Sequence, residues 1–212
     1  NKMNLKKYNE TTGTWDIISS GNASGIMVTD PHFLDEGQTF KSVNQVLVDM
    51  DGVLADVYSQ YIALEYKDTG VKPVLEDLYG KTEEESFPSF HKYVRSKGFF
   101  ETAPLLPDAV KGLKYLNDKY KVLIVSSATE LPNSLTEKQR WLNEYFPFIT
   151  WEQMIFCGRK DSIQGDIMID DHPKNLRTFG GRRILFTQPH NMCIDEASYQ
   201  RVSGWEEIMN LL

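Results

Sequence analysis

The sequence predicts an α/β domain in which helices flank a parallel sheet, and three observations carry that expectation. Short apolar runs rich in Val, Ile and Leu recur at residues 46–48, 121–125, 154–156, 167–169 and 184–186. Uninterrupted runs of this length suit strands buried on both faces. Segments with apolar residues at helical spacing separate them, the alternation expected of an open parallel sheet. Several runs also end abruptly in carboxylates or hydroxyls: Asp49-Met50-Asp51-Gly52 after the first, Ser126-Ser127 closing the second, Asp170-Asp171 closing the fourth.

Residues 1–43 read as an extension to a core domain of residues 44–212. They are polar, and Trp15-Asp16-Ile17-Ile18 and Ile26-Met27-Val28-Thr29 flank the turn-forming Ser19-Ser20-Gly21-Asn22. A hairpin followed by a linker is expected. A chain beginning at Asn1 reads as a trimmed or partial product, and no signal-peptide core is visible.

After the first core strand, Val57-Tyr58, Tyr61-Ile62 and Tyr66 recur at helical spacing, with Gly70 as the stop. Leu75, Leu78 and Tyr79 then make one apolar stripe and Phe87, Phe90 and Val94 another, predicting two short helices separated by Glu83-Glu84-Glu85. The interval from Asp56 to Lys121 is too long for a simple crossover. A small helical insert at about 57–103 is the economical explanation. Pro107 begins a further helix, with Val110, Leu113, Leu116 and Tyr120 on its apolar face. Ser134-Leu135-Thr136-Glu137 has capping-box spacing ahead of Trp141, Leu142, Tyr145 and Phe146. A last amphipathic helix follows the cap Ser203-Gly204-Trp205-Glu206 and runs through Ile208, Met209 and Leu212.

Composition narrows the function classes. A formal charge of −7 argues against general binding of nucleic-acid polymers, while leaving room for a small anionic substrate held by local donors. No apolar run approaches the ~18 residues of a membrane span. Cys157 and Cys193 stand far apart, so a reducing, cytosolic setting is the simplest expectation. The oligomeric state is left open, a homodimer included.

In open parallel sheets the ligand crevice lies beyond the carboxyl ends of the strands. Asp49, Asp51, Ser126, Ser127, Lys160, Asp170 and Asp171 are all delivered to that edge. Clustered carboxylates need a cation, and oxygen ligands suit Mg²⁺, which also takes substrate phosphate oxygens. Singly, Ser126 would be a turn former and Lys160 a solvated lysine. Arg159 and Lys174 reach either an anion or water, and His172 before Pro173 reads as orienting a loop. His32, His91 and His190 form no visible site.

Asp49-Met50-Asp51-Gly52-Val53, Ser126, Lys160 and Asp170-Asp171 resemble the four motifs of the haloacid dehalogenase superfamily. The stretch Val48-Asp49-Met50-Asp51-Gly52-Val53-Leu54-Ala55-Asp56, the lysine before Ile169-Asp170-Asp171, and Ser96-Lys97-Gly98-Phe99-Phe100-Glu101 resemble the 5′(3′)-deoxyribonucleotidase family more narrowly. The resemblance implies a Rossmann-like core, a helical cap and a Mg²⁺-dependent phosphomonoesterase acting on small phosphorylated substrates. Asp49 would be the nucleophile and also a metal ligand, and Asp51 the acid–base, its main-chain carbonyl also reaching the metal. Ser126, Ser127 and Lys160 would hold the phosphoryl group. Asp171 would contact the metal directly, with Asp170 supporting it. Asp56 reads as a cap or hinge.

Two positions depart from the nucleotidase pattern. Val57 stands where an aromatic follows the first motif, and Val94 stands where a tryptophan precedes Ser96. Tyr58, Tyr79 or Tyr93 would have to supply base stacking from neighbouring positions. Phosphatases of sugar phosphates, and a non-catalytic scaffold of the same fold, are the alternatives.

Overall fold

The computed structural model describes residues 2–9, 14–22, 45–195 and 199–212. The chain divides into two compact units, Asn1–Ser42 and Val43–Leu212.

The first unit contains an antiparallel hairpin of β1 (Lys2–Asn9) and β2 (Thr14–Asn22). Trp15-Asp16-Ile17-Ile18 is extended as expected, but its partner lies upstream. Ser19-Ser20-Gly21-Asn22 does not turn, because Lys2 to Leu5 pair with it and keep β2 extended. The expected arm at residues 26–29 lies outside the described residues.

The second unit is built on a six-stranded parallel sheet. It comprises β3 (Gln45–Val48), β4 (Lys121–Ser127), β5 (Met154–Cys157), β6 (Ile167–Asp170), β7 (Arg182–Phe186) and β8 (Gln200–Val202), in the order β5-β4-β3-β6-β7-β8. β8 has no counterpart in the sequence pattern. Gln200-Arg201-Val202 is an edge strand identified by pairing to β7 rather than by an apolar run. Strand alternation divides the core: Val46, Val48, Ile124 and Ile169 pack on one side with Trp141 and Trp205. Leu47, Val125, Met168 and Leu185 pack on the other with Leu176 and Phe179. Burial on both faces explains why these strands carry no polar alternation.

The segment after β3 is helical. α1 (Val57–Thr69) is capped by the Asp56 carboxylate, which accepts from the Ser59 amide at 2.9 Å, and ends at Gly70 in left-handed geometry. A 3₁₀ turn (Leu75–Leu78), α2 (Glu83–Ser86) and α3 (Phe90–Val94) follow. The acidic run is thus a helical turn rather than a separator. Thr82 and Glu85 form a reciprocal capping box, and acidic side chains suit the first turn of a helix.

α4 (Ala109–Lys119) buries Ala109, Gly112, Leu113 and Leu116, whereas the expected Val110 is 37% exposed. The helix starts two residues beyond Pro107, so the buried stripe rotates onto Ala109 and Gly112. α5 (Pro132–Tyr145) begins at its own proline. Ser134 and Glu137 are therefore inside the helix and do not cap it. The Ser134 hydroxyl donates to the Ala128 carbonyl, and the Glu137 carboxylate accepts from the amides of Gly98 (2.7 Å) and Phe100 (3.1 Å). α6 (Pro173–Arg177) and α7 (Trp205–Leu211) complete the domain. The Ser203 hydroxyl does not cap α7; the Glu207 carboxylate instead accepts from the Ser203 amide at 3.1 Å.

Gly112 lets α4 approach α7: a Cβ there would stand 2.2 Å from Trp205 Cε3. Gly112→Ala is expected to destabilise the domain by about 1–3 kcal/mol, as overpacking does. Urea unfolding measures it, and an unchanged midpoint would show that α7 yields freely.

Candidate active site

β3 lies at the switch point of the sheet. The chain moves from it to β4 and β5 on one side, then returns to β6, β7 and β8 on the other. Neighbouring loops part at such a point and leave a crevice. Pairing continues one residue past β3, with the Asp49 amide donating to the Ile169 carbonyl at 2.9 Å. Asp49, Ser126 and Asp170 thus reach the same edge on three adjacent strands.

The backbone then turns sharply. Gly52 has φ +70°, and a Cβ on it would lie 2.1 Å from Asp171 Oδ2. Only glycine permits both that conformation and that approach. The Met50 carbonyl accepts from the amides of Leu54 and Ala55, closing the turn. Two distant side chains secure it: Gln188 Nε2 donates to the Gly52 carbonyl, and Trp205 Nε1 to that of Val53, each at 2.7 Å.

Asp49 and Asp51 have separate buried ammonium partners. Asp49 Oδ1 accepts from its neighbour Met50 N at 2.7 Å and pairs with Lys160 Nζ at 2.6 Å. Its Oδ2 has no hydrogen bond among the described residues. Lys160, 3% exposed, also donates to Asp170 Oδ2 at 2.7 Å. Asp51 Oδ2 meets the ammonium of Lys138 at 2.5 Å, and the same nitrogen donates to Ser126 Oγ at 2.9 Å. Lys138 did not emerge from the sequence. Its signal there is a cation on the buried face of α5, in helical register with Ser134, Trp141 and Leu142.

The two acidic residues closing β6 differ. Asp170 is saturated, accepting from Lys160, the His172 amide and Asn175 Nδ2. Asp171 has its main-chain carbonyl bound by Asn191 Nδ2 at 2.8 Å, while its buried Oδ1 has no hydrogen-bond partner among the described residues. Carboxylate oxygens of Asp49, Asp170 and Asp171 lie within 4.8 Å of one another.

Burial pushes the Asp49 carboxyl up to about 7, against the opposing pull of Lys160 and with a further push from Asp170 and Asp51. Burial, then the charges of Asp49 and Asp170, raise Asp171 well above the usual carboxylate range. Burial alone would depress Lys160, but Asp170 and Asp49 reverse this and raise it. Burial therefore raises the proton affinity of Asp49 and Asp171, the protons that cation ligation would remove, while Lys160 is held charged.

The cleft has a volume of about 250 Å³, and Ser127, Val57, Tyr61, Phe90, Val94 and Phe99 contribute to its walls. Both valines at the departing positions face it. The tyrosines considered as replacements do not line it: Tyr58 bonds His190, Tyr93 bonds Glu65 and Asp68, and Tyr79 borders another groove. That groove, about 920 Å³, is larger but contains none of the four carboxylates.

His190, scattered in sequence, stacks on His172 with ring centroids 4.2 Å apart, because both follow adjacent strands. Glu83 of α2 meets His190 at 3.4 Å and His172 at 3.7 Å. Burial, with His190 alongside, lowers His172 to about 4. His91 pairs with exposed Glu84 away from the cleft, and His32 lies outside the described residues. Arg159 is paired with Asp161, while exposed Lys174 lines the cleft.

A parallel sheet with an Asp-x-Asp turn at its switch point, a serine, a buried lysine and an acidic pair defines a haloacid dehalogenase-like hydrolase. Structural comparison agrees in fold: a dehalogenase structure superimposes with a TM-score of 0.52 at 14% identity over 82% of this chain and 99% of that one. A chain described as the HAD-hydrolase YfnB of Bacillus subtilis, solved with magnesium bound, gives 0.51 at 15% identity over 81% and 99%.

The family model for 5′ nucleotidase, deoxy (pyrimidine), cytosolic type C protein matches residues 41–212, and the chain belongs to that family of phosphoric monoester hydrolases. It is 37% identical over 172 residues to the 5′(3′)-deoxyribonucleotidase of Bacillus subtilis strain 168, covering 77% of this chain and 95% of the relative. The 5′(3′)-deoxyribonucleotidase of Bacillus phage SPbeta shows the same identity and coverage.

Proposed function

We propose that the protein hydrolyses nucleoside monophosphates, deoxynucleotides among them, to nucleoside and phosphate through an aspartyl-phosphate. The observation that carries this is the Asp49–Asp51 pair, each carboxylate with its own buried lysine, opening onto a cleft walled in part by Val57, Tyr61, Phe90, Val94 and Phe99. The names of the 37%-identical relatives support the substrate class.

Asp49 attacks phosphorus through Oδ2, the oxygen left free, while the bond from phosphorus to the nucleoside oxygen breaks. Asp51 gives that oxygen a proton, then takes one from the water that attacks the aspartyl-phosphate. The second displacement frees phosphate and restores the Asp49 carboxylate. Ser126 and Ser127 donate to phosphoryl oxygens, and Lys160 balances charge on them and on Asp49. The helical segment at about 57–103 acts as a cap that receives the nucleoside and excludes water.

The donor set fits a hard divalent cation. The orphaned Asp171 Oδ1, the Asp51 main-chain carbonyl and the Asp49 carboxylate, through the oxygen that does not attack, would hold Mg²⁺, with saturated Asp170 orienting Lys160 beside it. When bound, the ion supplies further neutralisation of the phosphoryl oxygens. Among the described residues no helix is long and apolar enough to cross a membrane. The reading goes with a cytosolic setting and a small phosphorylated substrate.

Phosphate release from deoxynucleoside, ribonucleoside and sugar monophosphates, with and without Mg²⁺, tests the proposal. Deoxynucleotides turned over no better than sugar phosphates would overturn the nucleotide assignment.

The raised carboxyls predict a linkage between protons and cation. In the cation-free protein, Asp49 sits near 7 against an unfolded value of about 3.9. The native state then binds more protons across that window, so this contribution to stability is lost as pH rises from about 4 to about 7. A cation must displace the same protons, so it binds more tightly at higher pH. The rise in Tm on adding Mg²⁺ is therefore expected to be larger at pH 8 than at pH 6. Equal or reversed rises would contradict the assignment of Asp49 and Asp171 as ligands.

A further inference from the structure

We propose that Lys138 is a positioning residue that selects the oxygen through which Asp51 transfers its proton and aims the Ser126 hydroxyl at the phosphoryl group. The inference rests on the phosphatase reading above. Lys138 is 2% exposed, whereas the Asp51 side chain is 33% exposed and faces the cleft. A lysine loses its water at considerable cost unless its donors are used. Here they are: one goes to Asp51 Oδ2 at 2.5 Å and one to Ser126 Oγ at 2.9 Å, while the Phe100 ring lies 4.7 Å from the nitrogen.

Both bonds have directional consequences. With Oδ2 tied to Lys138, Oδ1 is the oxygen of Asp51 with no hydrogen bond among the described residues. Proton delivery to the leaving oxygen is thereby confined to Oδ1. Ser126 Oγ accepts from the ammonium, so its own O–H must point elsewhere. Among the described residues it has no acceptor, and the cleft is where a phosphoryl oxygen would supply one. An ammonium has no lone pair, so Lys138 cannot take the proton and orients without exchanging it.

The position is reinforced from the neighbouring residue. Glu137 accepts from the amides of Gly98 and Phe100, fixing the Phe100 ring that borders the ammonium. Lys138 thus stands between the proton carrier, the phosphate donor and the base of the helical segment.

A positioning role for proton transfer separates from a merely structural one by leaving group. A nucleoside alkoxide needs a proton to depart; p-nitrophenolate does not. In Lys138→Met, kcat/KM for a deoxynucleoside monophosphate is expected to fall by about 100-fold, the lower range of general acid catalysis. For p-nitrophenyl phosphate the expected fall is less than about tenfold. Added to Asp51→Asn, Lys138→Met should cost little more on the nucleotide, since residues acting as a unit are not additive. Equal losses on both substrates, or full additivity in the double variant, would overturn the proposal. So would an unaffected nucleotide rate. Should Lys138→Met not fold, Lys138→Gln in both backgrounds gives the same comparison. Wild-type protein that hydrolyses neither substrate would count against the phosphatase reading instead.

Discussion

Asp49→Asn is expected to abolish phosphate release, by on the order of 10⁴-fold or more, while the protein stays folded. The amide is isosteric with the carboxylate but cannot form the phosphoryl ester that the two-step route requires. Its oxygen can still accept from the Met50 amide and from Lys160, the two partners of Oδ1. Lys160 also keeps Asp170, so no buried ammonium is stranded. Above pH 7 the variant should be at least as stable as the parent without cation, because a carboxylate held up at about 7 by burial is gone. A phosphate-release assay beside a thermal melt checks both halves. Turnover near the parental rate would remove Asp49 from the role of nucleophile.

Gly52→Ala carries the next largest expectation. Its φ of +70° costs about 1 kcal/mol for an alanine. The larger effect is steric, since the new Cβ would stand 2.1 Å from Asp171 Oδ2 and 2.7 Å from its Cγ. Asp171 is fully buried among strand ends and can move only by disturbing the loop or the acidic cluster. Misplacement of a catalytic group by about 1 Å is worth ~100-fold in rate. The variant is expected to lose at least that much activity and about 2 kcal/mol of stability. Steady-state kinetics and urea unfolding provide the measurements. Parental activity would show that Asp171 does not need its observed position.

The sheet and the ends of its central strands were readable because burial on both faces leaves uninterrupted apolar runs. Carboxylates at the ends of β3 and β6 then stand out against them. Legibility ended where three-dimensional neighbours decide. Lys138 sits in Glu137-Lys138-Gln139-Arg140, which looks like a solvated helix face, yet Glu137 and Lys138 are buried and Gln139 and Arg140 exposed. His172 and His190 meet only because β6 and β7 are paired. β8 depends on an edge to join, and Val110 lost its buried place to a one-residue change in helix phase. Polar residues used for their partners leave a fainter trace than apolar residues used for their volume.

Trp205 bears on the order in which the site comes into being during synthesis. Its indole N–H holds the Val53 carbonyl across 152 residues, and its ring fills the space opposite Gly112. The turn after β3 is therefore among the earlier parts of this domain to leave the ribosome and among the last to acquire its final hydrogen bond. Until α7 docks, the turn after β3 lacks one of the two side-chain pins that hold its main-chain carbonyls.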